Sequence, residues 1–133
     1  MGKCSDIILI GPVAVGKSTV APLLAERLQV PHVAMDRIAH VYYEESEFGE
    51  AAFEKIPQEH GFLAAYRRWW PSVAYATERV LADYRDCVID LGAGHSHYED
   101  PALFARIQRA FAPYQNVVLL LPSPDLDESV CIL

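Results

Sequence analysis

The sequence predicts an α/β fold built on a parallel sheet, and three observations predict it. Short, nearly continuous apolar runs recur along the chain, as strands buried on both faces require. Between them lie longer stretches whose apolar residues repeat at helical spacing. A glycine-rich turn, "GPVAVGKST", joins the first run to the first helical stretch. Strand and helix in repetition imply right-handed crossovers that set successive strands parallel.

In chain order, "DIILI" (6–10), "HVAM" (32–35), "CVIDL" (87–91) and "VVLLL" (117–121) are the expected strands. The expected helices cover 17–28, 37–46, 48–60, 62–84 and 101–112. The stretch 62–84 is expected to be interrupted at Pro71, whose missing N–H suits the first position of a new helical turn. In "PSVAYATERVLADY", Val73, Ala76, Val80, Leu81 and Tyr84 recur on one helical face and should meet the sheet. The last residues, "SPDLDESVCIL", read as a helix begun by Ser123 or Asp125, with acids in its first turn to suit the helix dipole. No repeat or linker divides the chain, so 1–133 reads as a single domain.

Composition narrows the function classes. An apolar fraction of 52% and a charged fraction of 22% are those of an ordinary globular protein able to bury a core. The net charge of −7 repels polyanions, which disfavours nucleic acid as a partner. No apolar run reaches the roughly 18 residues of a membrane-spanning helix, and the first residues lack the zones of a signal peptide. A cytoplasmic protein without a membrane partner is therefore expected. Cys4, Cys87 and Cys131 are odd in number and scattered, and read as reduced thiols. Lipid anchors fail on register: Asp6 stands where a myristoylation signal needs Ser or Thr, and Cys131 is third from the end where prenylation needs it fourth.

Gly11, Gly16, Lys17 and Ser18 spell G-x-x-x-x-G-K-S between a strand and a helix, the context that identifies a phosphate-binding loop. Gly11, Pro12, Val13, Ala14, Val15, Gly16, Lys17, Ser18 and Thr19 form the expected nucleotide cradle. The glycines let the backbone curl so that successive N–H groups point at an anion, and the N-terminus of the next helix adds its dipole. Lys17 should reach the β- and γ-phosphates, and Ser18 should offer its hydroxyl to Mg²⁺. The competing reading is a glycine turn with a solvated lysine. Asp90 ends an apolar strand as a Walker B aspartate does and is the second expected Mg²⁺ holder; alternatively it caps a loop or a helix start. Open parallel sheets bind ligands beyond the carboxyl ends of their strands, where Asp90 and the loop both fall.

"IILIGPVAVGKSTVAPLLAERLQVPHVAMD", "AYRRWW" and "VIDLGAG" together resemble the shikimate kinases and their small-molecule kinase relatives in the nucleoside-monophosphate-kinase-like P-loop group. The resemblance spans most of the chain. It implies a three-layer P-loop NTPase fold with a parallel sheet of order 2-3-1-4, its last strand missing here, and it implies ATP and Mg²⁺. Asp36 matches the family's aspartate that binds the acceptor hydroxyl and can act as base, so Lys17 and Asp36 are the implied catalytic pair. The family's earlier aspartate is replaced by Ala34, and Asp90 stands where the family usually has a small residue. Gly92, Ala93 and Gly94 match the glycine loop that approaches the substrate, with Ala93 restricting positive φ. Tyr66 and Arg67 match a Phe-Arg pair whose arginine clamps the substrate carboxylate, although the glutamate three residues on is here Trp70. A rival alignment of "GEAAFEK" puts Glu54 at the arginine position and abolishes the clamp.

On the residues alone, "YRRWW" reads first as a packed face with solvated guanidinium groups, then as a substrate clamp, and last as a partner surface. His95 and His97 read as exposed loop histidines, with contact to a substrate or metal as the sharper alternative. The family continues through an arginine-bearing lid, a fifth strand and an adenine loop that cannot be placed in this sequence, so it reads as a truncated or divergent member or as one that a partner completes. Two functions follow. One is an ATP-dependent kinase acting on a hydroxyl of a small anionic metabolite, with Arg67 anchoring it. The other is a regulatory ATP- or GTP-binding module without turnover.

Overall fold

The four apolar runs become β1 (Ile7–Ile10), β2 (His32–Ala34), β3 (Val88–Asp90) and β4 (Val117–Leu119) in a computed structural model that describes residues 6–46 and 61–132. They form one all-parallel sheet in the order β2-β3-β1-β4. Leu9 of β1 stands opposite Asp90 of β3 and Val118 of β4, and Ala34 of β2 stands opposite Asp90. The carboxyl ends of β1, β2 and β3 therefore open at one edge, which collects Gly11, Asp36 and Gly92.

Strand alternation sends side chains to both faces, and both are covered. Helix α1 (Lys17–Leu28) packs Ala21 and Ala25 against Leu9 and Val88 on one face. Three helices cover the other: α2 (Met35–Glu45), α3 (Gly61–Asp83) and α4 (Pro101–Phe111). There Ile8, Val33, Ile89 and Leu91 meet Met35, Ala39, Val73, Ala76, Val80, Leu81 and Ile107, with Tyr84 at the margin. Burial on both faces explains why β1 and β3 read as continuous apolar runs rather than alternating ones, whereas β4, expected to be buried in the same way, lies at the sheet's edge with Val118 and Leu119 exposed. The chain is thus a three-layer α/β protein with the expected strand order. Asp100 caps α4 through Ala102 and Leu103, with Pro101 at the first helical position. A bidentate pair from Arg106 to Glu78 then clips α4 to α3.

Two elements differ from expectation. Helix α2 begins at Met35 rather than residue 37, because Met35 is fully buried as part of its first turn and Asp36 there suits the dipole. Helix α3 is unbroken at Pro71: the ring faces solvent while Trp70, Val73 and Ala74 are buried around it, and that packing outweighs the lost helical hydrogen bond. The expected helix 48–60, with Glu54, lies outside the described residues. The last helix, α5 (Leu126–Ile132), follows Asp125, whose Oδ1 accepts the Glu128 N–H at 3.0 Å. Ser123 Oγ in turn accepts from the Asp125 N–H, so both expected residues share the start. Cys87 is buried and Cys131 exposed, both as free thiols, and Cys4 lies outside the described residues. Among the described residues no helix is long and apolar enough to cross a membrane.

Candidate active site

The loop after β1 is held in a conformation that only its glycines permit. Gly11 has φ 150°, and a Cβ there would sit 2.6 Å from the Leu120 carbonyl oxygen. Gly16, at φ 109°, turns the chain into α1, and Ala14 also holds a left-handed φ of 61°. Gly16 thus stands as the N-cap of α1, where a helix presents its first N–H groups. Lys17 Nζ donates to the carbonyls of Gly11 at 2.7 Å and Pro12 at 2.8 Å. An ammonium has three donors, so one is left over by the loop. Burial pushes this ammonium below its usual range, while Asp90 and Asp36 pull it back up.

Beside the loop is a small pocket of about 130 Å³ that Lys17, Ser18, Asp36 and Asp90 share with Gly92 and Ala93. Asp90 is buried at the end of β3, with Oδ2 3.6 Å from His32 Nε2 on the neighbouring strand. That is too long for a hydrogen bond but close enough for Coulombic attraction. Burial raises the Asp90 carboxyl above the usual range, and His32 opposes the rise. Among the described residues no three His, Cys, Asp or Glu side chains form a metal cage. A Ser hydroxyl and one carboxylate beside the glycine-rich loop do fit Mg²⁺, which keeps most of its waters and takes few protein ligands.

A second cleft, about 350 Å³, adjoins the first and shares Val13, Asp36, Gly92 and Ala93 with it. Its walls follow from helix periodicity: Asp36, Ala39, His40 and Tyr43 fall on one face of α2, and Trp69 and Val73 are one turn apart on α3. The Tyr43 and Trp69 rings pack 4.8 Å apart, tilted by 59°. A 3₁₀ turn (Ala93–His95) after β3 closes the floor. Gly92 matters here through close approach, since a Cβ would lie 2.6 Å from His95 Nδ1 and 2.7 Å from Asp36 Oδ1. Ala93 has no positive φ, so the alanine costs nothing at that position.

His95 corrects the expectation of an exposed loop histidine. The 3₁₀ turn swings its ring inward to 6% exposure, with Nε2 2.7 Å from the Tyr43 hydroxyl. Burial pushes its pKa down to about 4 against the pull of Asp36, so the imidazole is neutral near pH 7. His97 is exposed as expected. The structure brings Gly11, Gly16, Lys17, Ser18, Asp36, Asp90, Gly92, Ala93 and Gly94 to one edge. Arg67 is not brought there: it is exposed, with Nη2 3.1 Å from Glu99 Oε2, in a separate depression formed with Trp70 and Leu103. "YRRWW" is therefore divided, Trp69 lining the cleft, Trp70 in the core and Arg67 and Arg68 at the surface. The Tyr66 side chain lies outside the description. His40 and Tyr43 were missed as residues lining the cleft, whereas Trp69 and His95 were weighed as substrate contacts, in "YRRWW" and in the loop after β3. The i, i+4, i+7 spacing from Asp36 was the one available signal for the first two.

No family model matches the chain. A curated protein of Streptomyces coelicolor, described as a shikimate kinase, is 33% identical over 133 residues, which takes in 93% of this chain. The chain is similar to a shikimate kinase. It spans 61% of the length of that relative. The likeness to a shikimate kinase and the all-parallel sheet with a glycine-rich turn after β1 point the same way.

Proposed function

We propose that the chain is a kinase, transferring the γ-phosphoryl group of ATP to a hydroxyl of a small metabolite, as the name of its relative suggests. The observation that carries this reading is that Asp36 lines both the pocket at the phosphate-binding loop and the adjoining cleft. A carboxylate at that junction touches the two reactants of a phosphoryl transfer. In this reading residues 11–19 cradle the phosphates and Lys17 stabilises the charge that spreads over the moving phosphoryl group. Ser18 and Asp90 would hold Mg²⁺, which when bound offsets phosphate charge.

Asp36 orients the acceptor hydroxyl and takes its proton. The acceptor oxygen forms a bond to the γ-phosphorus as the bond from that phosphorus to the β–γ bridging oxygen breaks. ADP leaves with the electron pair, and the proton passes from Asp36 to water. Gly92, Ala93 and Gly94 bring backbone close to the acceptor. Arg67 could clamp an acceptor carboxylate only by leaving Glu99, so the acceptor's anionic character is not carried into this reading. Residues 1–133 are taken as one domain, because both apolar clusters rest on the same sheet.

The test is Mg-ATP binding by calorimetry together with single-turnover transfer of γ-labelled phosphate to a panel of hydroxylated metabolites that includes shikimate. Binding with transfer to one acceptor is expected. Tight binding without transfer to any of them would leave the chain a nucleotide-binding module.

A further inference from the structure

The carboxylate that ends β3 is paired with an imidazole from the next strand. Asp90 lines the pocket beside the loop after β1, whereas His32, on the neighbouring strand β2, does not. Nε2 of His32 is buried and stands 3.6 Å from Asp90 Oδ2, with the two side chains 23% and 11% exposed. We propose that His32 is a positioning residue for the metal: it donates from Nε2 to Asp90 Oδ2, and so holds the carboxylate with Oδ1 kept for a Mg²⁺ shared with Ser18. The inference rests on reading Asp90 as a Mg²⁺ holder, and it gives a role to a side chain outside the pocket.

Three observations support it. The first is the strand register. His32 pairs with Val88 and Ala34 with Asp90, so the imidazole must lean one pair forward along the ladder to reach the carboxylate. Ala34 stands at that place with only a methyl group, and diagonal neighbours on a sheet are within reach of a ring. The second is the face. Val88 packs with Leu9 against Ala21 and Ala25 of α1, and alternation puts Asp90 on the same side as Val88. The pair therefore lies under the helix whose first turn carries Lys17 and Ser18. The third is the need of the carboxylate itself. A buried carboxylate requires hydrogen-bond donors, and closing from 3.6 Å to the roughly 2.9 Å of an N–H···O bond takes only a small rotation of the imidazole. Carboxylates that hold a metal are themselves held in this way, and removing such a support costs about 10- to 100-fold in metal affinity.

The experiment compares ATP binding to the full chain, by calorimetry, with Mg²⁺ present and with Mg²⁺ removed by a chelator. The ratio of the two affinities measures how strongly metal and nucleotide support each other. His32→Leu should lower that ratio about tenfold while leaving the metal-free affinity within about twofold. His32→Gln, whose amide nitrogen reaches the place of Nε2, should restore most of it. His32→Asn is polar but too short to reach, and should show the loss again even where the leucine variant fails to fold. In an Asp90→Asn background His32→Leu and His32→Asn should change the ratio no further, because the carboxylate through which His32 acts is gone. A ratio unchanged by His32→Leu or His32→Asn overturns the inference. So does a loss that His32→Gln does not recover, or one that persists undiminished in the Asp90→Asn background. A wild-type ratio near one overturns it too, with phosphate binding by the loop still standing. Failure to bind ATP in either condition would remove the kinase reading itself, and this inference with it.

Discussion

The Tyr43 hydroxyl lies 2.7 Å from Nε2 of His95, and the two rings are nearly parallel with centroids 6.3 Å apart. This contact ties α2 to the turn after β3, so the helix that carries Asp36 and the floor of the cleft are positioned together. It also makes the site's order depend on a titratable ring.

Acid should therefore loosen the protein through His95. Its folded pKa of about 4 lies below the ordinary 6.5, so the stability contributed by the neutral ring is complete above pH 6.5. That contribution is lost as pH falls from 6.5 towards 4, by roughly 3 kcal/mol at most. Asp90, held above its ordinary range, works in the opposite sense. Urea melts from pH 7 to pH 4 should show a flatter decline for His95→Asn than for the wild type. Equal slopes would mean that the ring is accessible to protons in the folded state.

Lys17→Ala should weaken Mg-ATP binding by at least an order of magnitude, because charge-assisted bonds to phosphate are lost. Calorimetry at fixed ionic strength checks this, and unchanged affinity would sink the assignment of the loop to phosphate.

Asp36→Asn should separate chemistry from nucleotide binding. Single-turnover transfer is expected to fall by about 10²- to 10⁴-fold, with ATP affinity within a few-fold of wild type. Retained transfer would remove Asp36 from the role of base.

Gly92→Ala and Gly11→Ala should fail for different reasons. At Gly92 the added methyl meets two side-chain ends, Asp36 Oδ1 and His95 Nδ1, which can yield, so the expected result is a folded protein with impaired acceptor binding. At Gly11 the methyl meets the Leu120 carbonyl in a left-handed backbone, and thermal stability itself should drop. Circular dichroism melts of both variants, paired with ligand binding, distinguish the outcomes.

Core and edge of the sheet should also part. Ile89→Ala in β3, fully buried between layers, should cost about 2–5 kcal/mol. Val118→Ala on the half-exposed edge strand β4 should cost much less, and comparable losses in denaturant melts would contradict the order of the sheet.

Much of the architecture was legible in the residues because its causes are local. Strands covered on both faces need unbroken apolar runs, and "DIILI" and "CVIDL" supply them. The curl of the loop after β1 depends on backbone freedom at Gly11 and Gly16, two positions fixed by spacing alone. The start of α5 at Asp125 is likewise a matter of one side chain and its own nearby N–H groups.

What tertiary structure alone decided is the direction in which side chains point. Helical phase relative to a neighbour settled that Trp69 lines the cleft while Arg67, two residues before it, turns out to Glu99. Packing of Trp70, Val73 and Ala74 carried α3 through Pro71, although its missing N–H argued for a break. A single 3₁₀ turn folded His95 under α2, against the usual preference of a loop histidine for water. In each case the energy comes from burial against residues distant in the chain, such as Tyr43 with His95 across 52 positions, and no local pattern encodes a partner that far away.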